Sequence, residues 1–231
     1  MANILSIDTS TEVGSVAFSK DGNVIFNRES FEDRSHAVKT GVYVDEVLSE
    51  AEKAGLKPDA VAVCSGPGSY TGLRIGVSLA KGLCYGYNIP LIAIDTHTVL
   101  TQGLITETTI SGNPLFCPMI DARRMEVYYA VFDAALNRIK PTVAEVIDSE
   151  SLLEYRDNEV YFFGNGAEKC MNVLSLPNMQ FVDGIHPMAK YLAVLAEKAF
   201  NEKQFENVAY FEPFYLKNFV ATISTKNVLG K

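Results

Sequence analysis

The chain repeats itself. Ile7–Phe18 reads IDTSTEVGSVAF and Ile120–Phe132 reads IDARRMEVYYAVF, so an Ile-Asp pair and a Glu-Val pair recur with one inserted residue. So short an echo can arise by chance. It carries weight because the order of elements and a Gly-containing turn recur with it, which points to two halves of like build.

The first half sets the pattern. Ile4–Ser10 and Gly14–Lys20 read as strands, Asp21-Gly22 is a hairpin turn signal, and Val24–Ser30 closes a three-strand meander. From about Ser35 to Ala54, Val38, Val42, Val47, Leu48 and Ala51 fall at helical spacing that stops at Gly55. The apolar run Ala60–Cys64 is a further strand, Tyr70–Gly86 a second helix and Leu91–Asp95 a last short strand. The order β-β-β-α-β-α-β predicts an α/β fold with helices on a sheet of mixed direction. In the second half a strand reads Val143–Ile147, and VYFFGNGAEK at Val160–Lys169 repeats the grammar of apolar strand, Gly-x-Gly and helix. A helix is expected over Pro187–Phe200.

Between the strand at Ala60 and its helix stands Gly66-Pro67-Gly68. A strand running through a Gly turn into a helix N-terminus presents backbone N–H groups and the positive end of the helix dipole, which suits a phosphate. The same glycines also serve a tight turn, and the Lys-Ser/Thr of a P-loop is missing. Asp8, ending the first strand, reads either as an acid that places metal and phosphate or as a cap for the N–H groups of Ser10 or Thr11, and the cap is favoured. Its mirror, Asp121, precedes Arg123-Arg124, a pair suited to an anion or a carboxylate and equally readable as a solvated turn.

Bulk properties exclude several classes. With 231 residues, 48% of them hydrophobic, the chain can bury a full core. A net charge of −8 without a Lys/Arg block argues against gripping a nucleic-acid backbone alone. After Glu212 only cations follow, Lys217, Lys226 and Lys231, and a solvated tail is expected there. Cys64, Cys84, Cys117 and Cys170 form no C-x-x-C pair, the usage of a reducing compartment. MANILSIDTS lacks the charged start of a signal peptide, and no run approaches membrane-spanning length. A soluble cytoplasmic protein with no membrane partner is expected. There is no G-x-S-x-G or H-E-x-x-H motif.

A duplicated β-β-β-α-β-α unit with Asp ending the first strand of each half resembles the actin-like ATPase (ASKHA, ribonuclease H-like) fold: two similar lobes, each a mixed sheet with flanking helices. DTSTEVGSVAF, RSHA at Arg34–Ala37, GPGSYTGLRIG and DARRMEVYYA narrow the resemblance to the TsaB (YeaZ) family, over essentially the whole chain. Members of that family are non-catalytic partners of TsaD, which installs threonylcarbamoyl on the adenosine beside the anticodon of certain tRNAs. The resemblance implies a scaffold with lobes at residues 1–102 and 103–231, the helix and tail after 187 being candidates to pack back on the first lobe. It implies no cofactor of the chain's own, with Asp8, Ser10, Gly66 and Gly68 as a degenerate phosphate loop. ATP or ADP and metal belong on partner subunits, and the donor, threonylcarbamoyl-AMP, comes from a separate enzyme. The implied partners are a TsaD-like subunit, a TsaE-like ATPase, a second copy when alone, and tRNA only through the complex.

Catalytic relatives carry two histidines four residues apart after the strand that follows the GPG helix. Here His97 stands alone, with Ala93 and Thr101 at that spacing, and three protein ligands are the usual minimum for zinc. The Gly164-Asn165-Gly166 turn is a poor match to their adenosine-binding Gly-Gly turn, and Glu168 behind it opposes a phosphate.

A docking surface is expected instead. Gly72, Gly76 and Ala80 make one row of small side chains along the second helix, and Ser78, Gly82 and Gly86 make another. Glycine inside a helix costs about 1 kcal/mol against alanine, so close packing, on the chain's own sheet or on another chain, must compensate. The resemblance favours an intermolecular helix bundle using His36, Thr40, Tyr43, Val47, Gly72, Arg74, Gly76, Ala80 and Leu83. On that expectation Gly76→Arg abolishes pairing and leaves a folded monomer. The rival readings are a self-standing ATPase or small-molecule kinase of the same fold, and a metallopeptidase.

Overall fold

The structure, a computed structural model, describes residues 2–32 and 36–217, with the backbone alone for 36–38. The first half runs β1 (Asn3–Asp8), β2 (Gly14–Lys20), β3 (Asn23–Ser30), α1 (His36–Lys53), β4 (Ala60–Cys64), α2 (Tyr70–Tyr87) and β5 (Leu91–Ile94). Next comes α3 (Thr96–Glu107), then β6 (Leu115–Asp121), β7 (Glu126–Phe132), β8 (Arg138–Val146), β9 (Val160–Phe163), β10 (Met179–Val182) and α4 (Ala189–Asn201).

The strands form two five-stranded sheets, β3-β2-β1-β4-β5 and β8-β7-β6-β9-β10. Numbered within its own half, each sheet has the order 3-2-1-4-5. In each, the first strand pairs antiparallel with the second and parallel with the fourth. The echo in the sequence is therefore a duplicated lobe, and the fold is actin-like.

Alternation along β1 explains how its lobe is layered. Leu5 and Ile7 point to one face and pack with Val61 and Val63 against Val44 and Val47 of α1 and Val77 and Ala80 of α2. Ile4 points to the other face, where Ala60, Ala62 and Ile92 pack against Ala196 and Ala199 of α4. Both faces are covered, so β4 reads as a continuous apolar run, and the apolar stretch of β1 is broken only by the buried Ser6. Each large apolar side chain buried here contributes about 1.5–3 kcal/mol relative to exposure. α4 thus lies on the sheet of the first half although it follows the strands of the second half in the chain.

Two elements depart from the sequence reading. The boundary expected between residues 102 and 103 cuts α3, a connector that touches both α4 and β6. The helix expected after Gly166 is a single 3-10 turn, Glu168–Cys170. Pro177 leaves too short a run for a packed helix and biases Leu176 away from helical angles. Leu152, Ala167, Cys170, Leu174 and Leu176 cover that face of the second sheet instead.

The chain returns to the first lobe after α4. Glu206 bridges to Leu91 at the sheet edge, and Val208 and Phe211 pack on the core between α1 and α2. Lys226 and Lys231, and the last residues of the expected second lobe, lie outside the described residues.

Candidate functional site

The loop that could cradle a phosphate is filled by the chain itself. Ser10 donates its backbone N–H and its hydroxyl to Asp8 Oδ1, each at 2.8 Å, and both residues are buried. Asp8 is thus the cap of its own turn. The N–H of Ser69, the N-cap of α2, goes to Ser10 O at 2.7 Å, and the Ser69 hydroxyl accepts the Gly72 N–H at 3.2 Å. A Cβ at Gly68 would fall closer than 3.0 Å to Ser10 O, so the turn lies flat on the β1–β2 loop. Gly66, at φ +107°, is covered from the other side, with Phe214 O 2.8 Å from where its Cβ would stand.

That cover is a strap. Phe214 N–H donates to Ser65 O at 2.8 Å, and Lys81 of α2 reaches back to Phe211 O at 2.9 Å. Tyr215 packs against Tyr70, ring centres 5.0 Å apart and planes tilted by 42°, and takes a 3.3 Å hydrogen bond from Arg74, whose guanidinium lies 4.5 Å from the centre of the Tyr70 ring. Lys217 then pairs with Glu126 of β7, in the other lobe. Arg74 is exposed, but it is engaged in holding the strap.

The mirror loop of the second lobe is open. Gly164 and Gly166 press the β9 turn onto the end of β6, where a Cβ on either would stand closer than 3.0 Å to backbone. Asn165 caps Asp121 N at 2.9 Å and gives its amide N–H to Glu12 Oε2 of the first lobe at 2.7 Å. Arg123 and Arg124 form an exposed bend between β6 and β7, both at positive φ, 74° and 49°.

His97 is wholly buried at the start of α3 and is satisfied across the lobes. Nε2 lies 3.0 Å from Tyr128 O and Nδ1 3.3 Å from Thr142 Oγ1, so a neutral ring with the proton on Nε2 serves both. Burial lowers its pKa from 6.5 to about 4, with nearby Asp95 pulling the other way. The depressed value fixes the sign. An unfolded chain takes up this proton below about pH 6.5 and the folded chain does not, so stability present above that pH is lost as pH falls toward 4. The urea midpoint is expected to fall by the equivalent of about 2 kcal/mol between pH 6.5 and 5, and to fall less in His97→Gln. An identical profile for the variant would show that His97 is not the group responsible. Among the described residues no three His, Cys, Asp or Glu side chains gather as a metal set, and no helix is long and apolar enough to cross a membrane.

On the far face of the first lobe, α1 and α2 lie side by side. Their outer surface carries Gly41, Val42, Asp45, Ser78, Gly82, Tyr85 and Gly86, all exposed, with Tyr85 87% exposed. A Cβ at Gly41, Gly82 or Gly86 would meet nothing within 4 Å.

A family model described as TsaD, tRNA N6-adenosine threonylcarbamoyltransferase, matches residues 30–225. Over 225 residues the chain is 31% identical to the tRNA threonylcarbamoyladenosine biosynthesis protein TsaB of Escherichia coli, covering 94% of this chain and 96% of that one. The chain belongs to the TsaB family. The Bacillus subtilis protein of the same name is 30% identical over 167 residues, 70% of each chain. The solved structure of YeaZ from Pseudomonas aeruginosa superposes with a TM-score of 0.79 at 24% identity, covering 94% of this chain and all of that one, and so supports the fold.

The helix faces of this TsaB-family chain correct several expectations. Gly72, Gly76 and Ala80 point inward: a Cβ on either glycine would crowd Thr9 at the end of β1, and Ala80 is in the core. Thr40 and Val47 are buried too. All five are buried within the lobe, so the free chain does not present them at its surface. Tyr43 and Leu83 are half-buried against the same core, and the His36 side chain lies outside the described residues. The open row is the other one, Ser78, Gly82 and Gly86. Gly76→Arg therefore strikes the fold and does not test a docking face. Sequence reasoning passed over Tyr85 and Val42, whose exposure breaks the apolar stripe, and the strap residues Phe214 and Tyr215, which have no periodicity to betray them.

Proposed function

We propose that this TsaB-family chain acts in tRNA threonylcarbamoyladenosine biosynthesis as a scaffold that pairs with a TsaD-like catalytic subunit through the outer faces of α1 and α2. The observation that carries this reading is the open face itself. Glycines on both helices let another backbone approach closely, and Tyr85 and Val42 stand exposed beside them as apolar anchors. The family membership supplies the pathway. In this reading the chain has no catalytic centre, nucleotide or metal of its own. Nucleotide and metal sit on partner subunits, a TsaE-like ATPase among them, the free chain pairs with itself through the same face, and the complex works in the cytoplasm. The filled loop at Gly66–Gly68 supports the absence of a nucleotide there, since Ser10 and Phe214 already occupy both sides of the turn.

The test is reconstitution. Mixed with the cognate TsaD-like protein, the chain is expected to co-elute from a sizing column and to be required for threonylcarbamoylation of an unmodified tRNA. Full modification without this chain would overturn the reading. Micromolar ATP binding by the isolated chain in calorimetry would revive the kinase alternative.

A further inference from the structure

The bend between β6 and β7 is built for a ligand that the filled loop of the other lobe cannot hold. Its two acids are already spoken for: Lys169 pairs with Asp121 and Lys217 with Glu126. Neither the Arg123 nor the Arg124 guanidinium has a hydrogen bond or ion pair among the described residues. The bend thus carries two permanently charged forks with no hydrogen-bond or ion-pair partner among the described residues, in a chain whose net charge is −8. Both arginines sit at positive φ, angles that glycine or asparagine would take at less cost. Beside them opens a cavity of about 570 Å³ lined by Ala122, Arg123, Arg124, Met125, Glu126 and Val146, with Val146 63% exposed. Two arginines lining a cavity together with Met125 and Val146 suit a nucleotide unit, with phosphate on the arginines and a base against the apolar side chains.

We infer that the Arg123-Arg124 bend is a contact for the phosphate backbone of RNA, made once the chain is assembled with its catalytic subunit. This deepens the reading under Proposed function and rests on it. The chain's acidity keeps it from binding RNA alone, and the bend adds local phosphate contacts to affinity supplied by the complex.

The experiment follows tRNA binding to the reconstituted complex by fluorescence anisotropy across a salt series, with assembly read separately by size exclusion. Arg123→Gly/Arg124→Gly is expected to melt no lower than the parent, since glycine is at ease at both angles. Its complex is expected to bind tRNA about tenfold more weakly near 0.1 M salt. The slope of log affinity against log salt should be shallower by about 1.5–2, the share of two phosphates. Arg123→Lys/Arg124→Lys, which keeps both charges, is expected to restore most of that slope. Unchanged affinity and slope in an assembled glycine complex would overturn the inference and leave the pairing intact. Saturable binding of inorganic phosphate by the free chain, lost in the glycine variant while the tRNA slope holds, would also overturn it and assign the bend to a small anion. If the parent proteins elute apart, the pairing fails first. The inference, which places the contact in the assembled complex, then falls with it.

Discussion

Gly72→Ala is expected to lower the melting temperature by roughly 6–12 °C, while the same substitution at Gly82, on the same helix, is expected to raise it slightly. The methyl group added at Gly72 falls closer than 3.0 Å to the carbonyl oxygen of Thr9. Backbone meets backbone there, so no side chain can swing aside. The Thr9 hydroxyl donates to Gly72 O at 2.7 Å, and the neighbouring turn is fixed by Asp8–Ser10 and Ser69–Ser10 bonds. Relaxation requires prising α2 from the end of β1, an overpacking cost of about 3 kcal/mol. In a chain of this size each kcal/mol moves the midpoint by about 2–4 °C. At Gly82 the added methyl meets nothing within 4 Å, and the helix gains up to about 1 kcal/mol of propensity. Calorimetric melts of the two variants beside the parent make the comparison. Equal midpoints would mean that the inward row is not packed as described.

The second large effect is on assembly. Gly82→Arg is expected to leave the melting temperature within about 2 °C of the parent, as surface substitutions do. It is also expected to weaken pairing with the TsaD-like subunit by at least about 100-fold, because a long charged side chain would hold the partner backbone away from the one row that admits it. Tyr85→Ala should weaken pairing by about 2 kcal/mol, the size of a central aromatic anchor. Gly76→Arg, by contrast, should yield little folded protein. Titration calorimetry reads the first two and a thermal melt the third. Tight pairing by a folded Gly82→Arg chain would place the docking face elsewhere.

These contrasts show what the sequence held and what it withheld. The duplication was legible because Ile-Asp, Glu-Val and a Gly turn recur in the same order, and the structure returns one strand order twice. Asp8 as a turn cap followed from local chemistry alone. The two small rows of α2 were also visible, yet spacing cannot say which row faces inward. Thr9 decides that, and its position against the helix is a tertiary fact. Thr40 and Val47 were drawn to the surface for the same reason, although a stripe of Val44, Val47 and Ala51 is what a sheet-facing helix needs. α3 went unseen because THTVLTQGLITE is threonine-rich, with weak helix propensity and little amphipathic contrast. The second-lobe helix was expected by analogy with the first half, but Pro177 leaves no room for a helix as long as α2.

The lobes of this molecule are riveted at separate points along their seam. Arg138 meets Asp95 at 2.6 Å, His97 meets Tyr128, Asn165 meets Glu12, and Lys217 carries the strap across to Glu126. Hinged enzymes open and shut by swinging one domain about a few free residues. Swinging here would break the rivets together and strand a buried imidazole. These contacts oppose such a swing, so a load placed on α1 and α2 would pass to the second lobe through them.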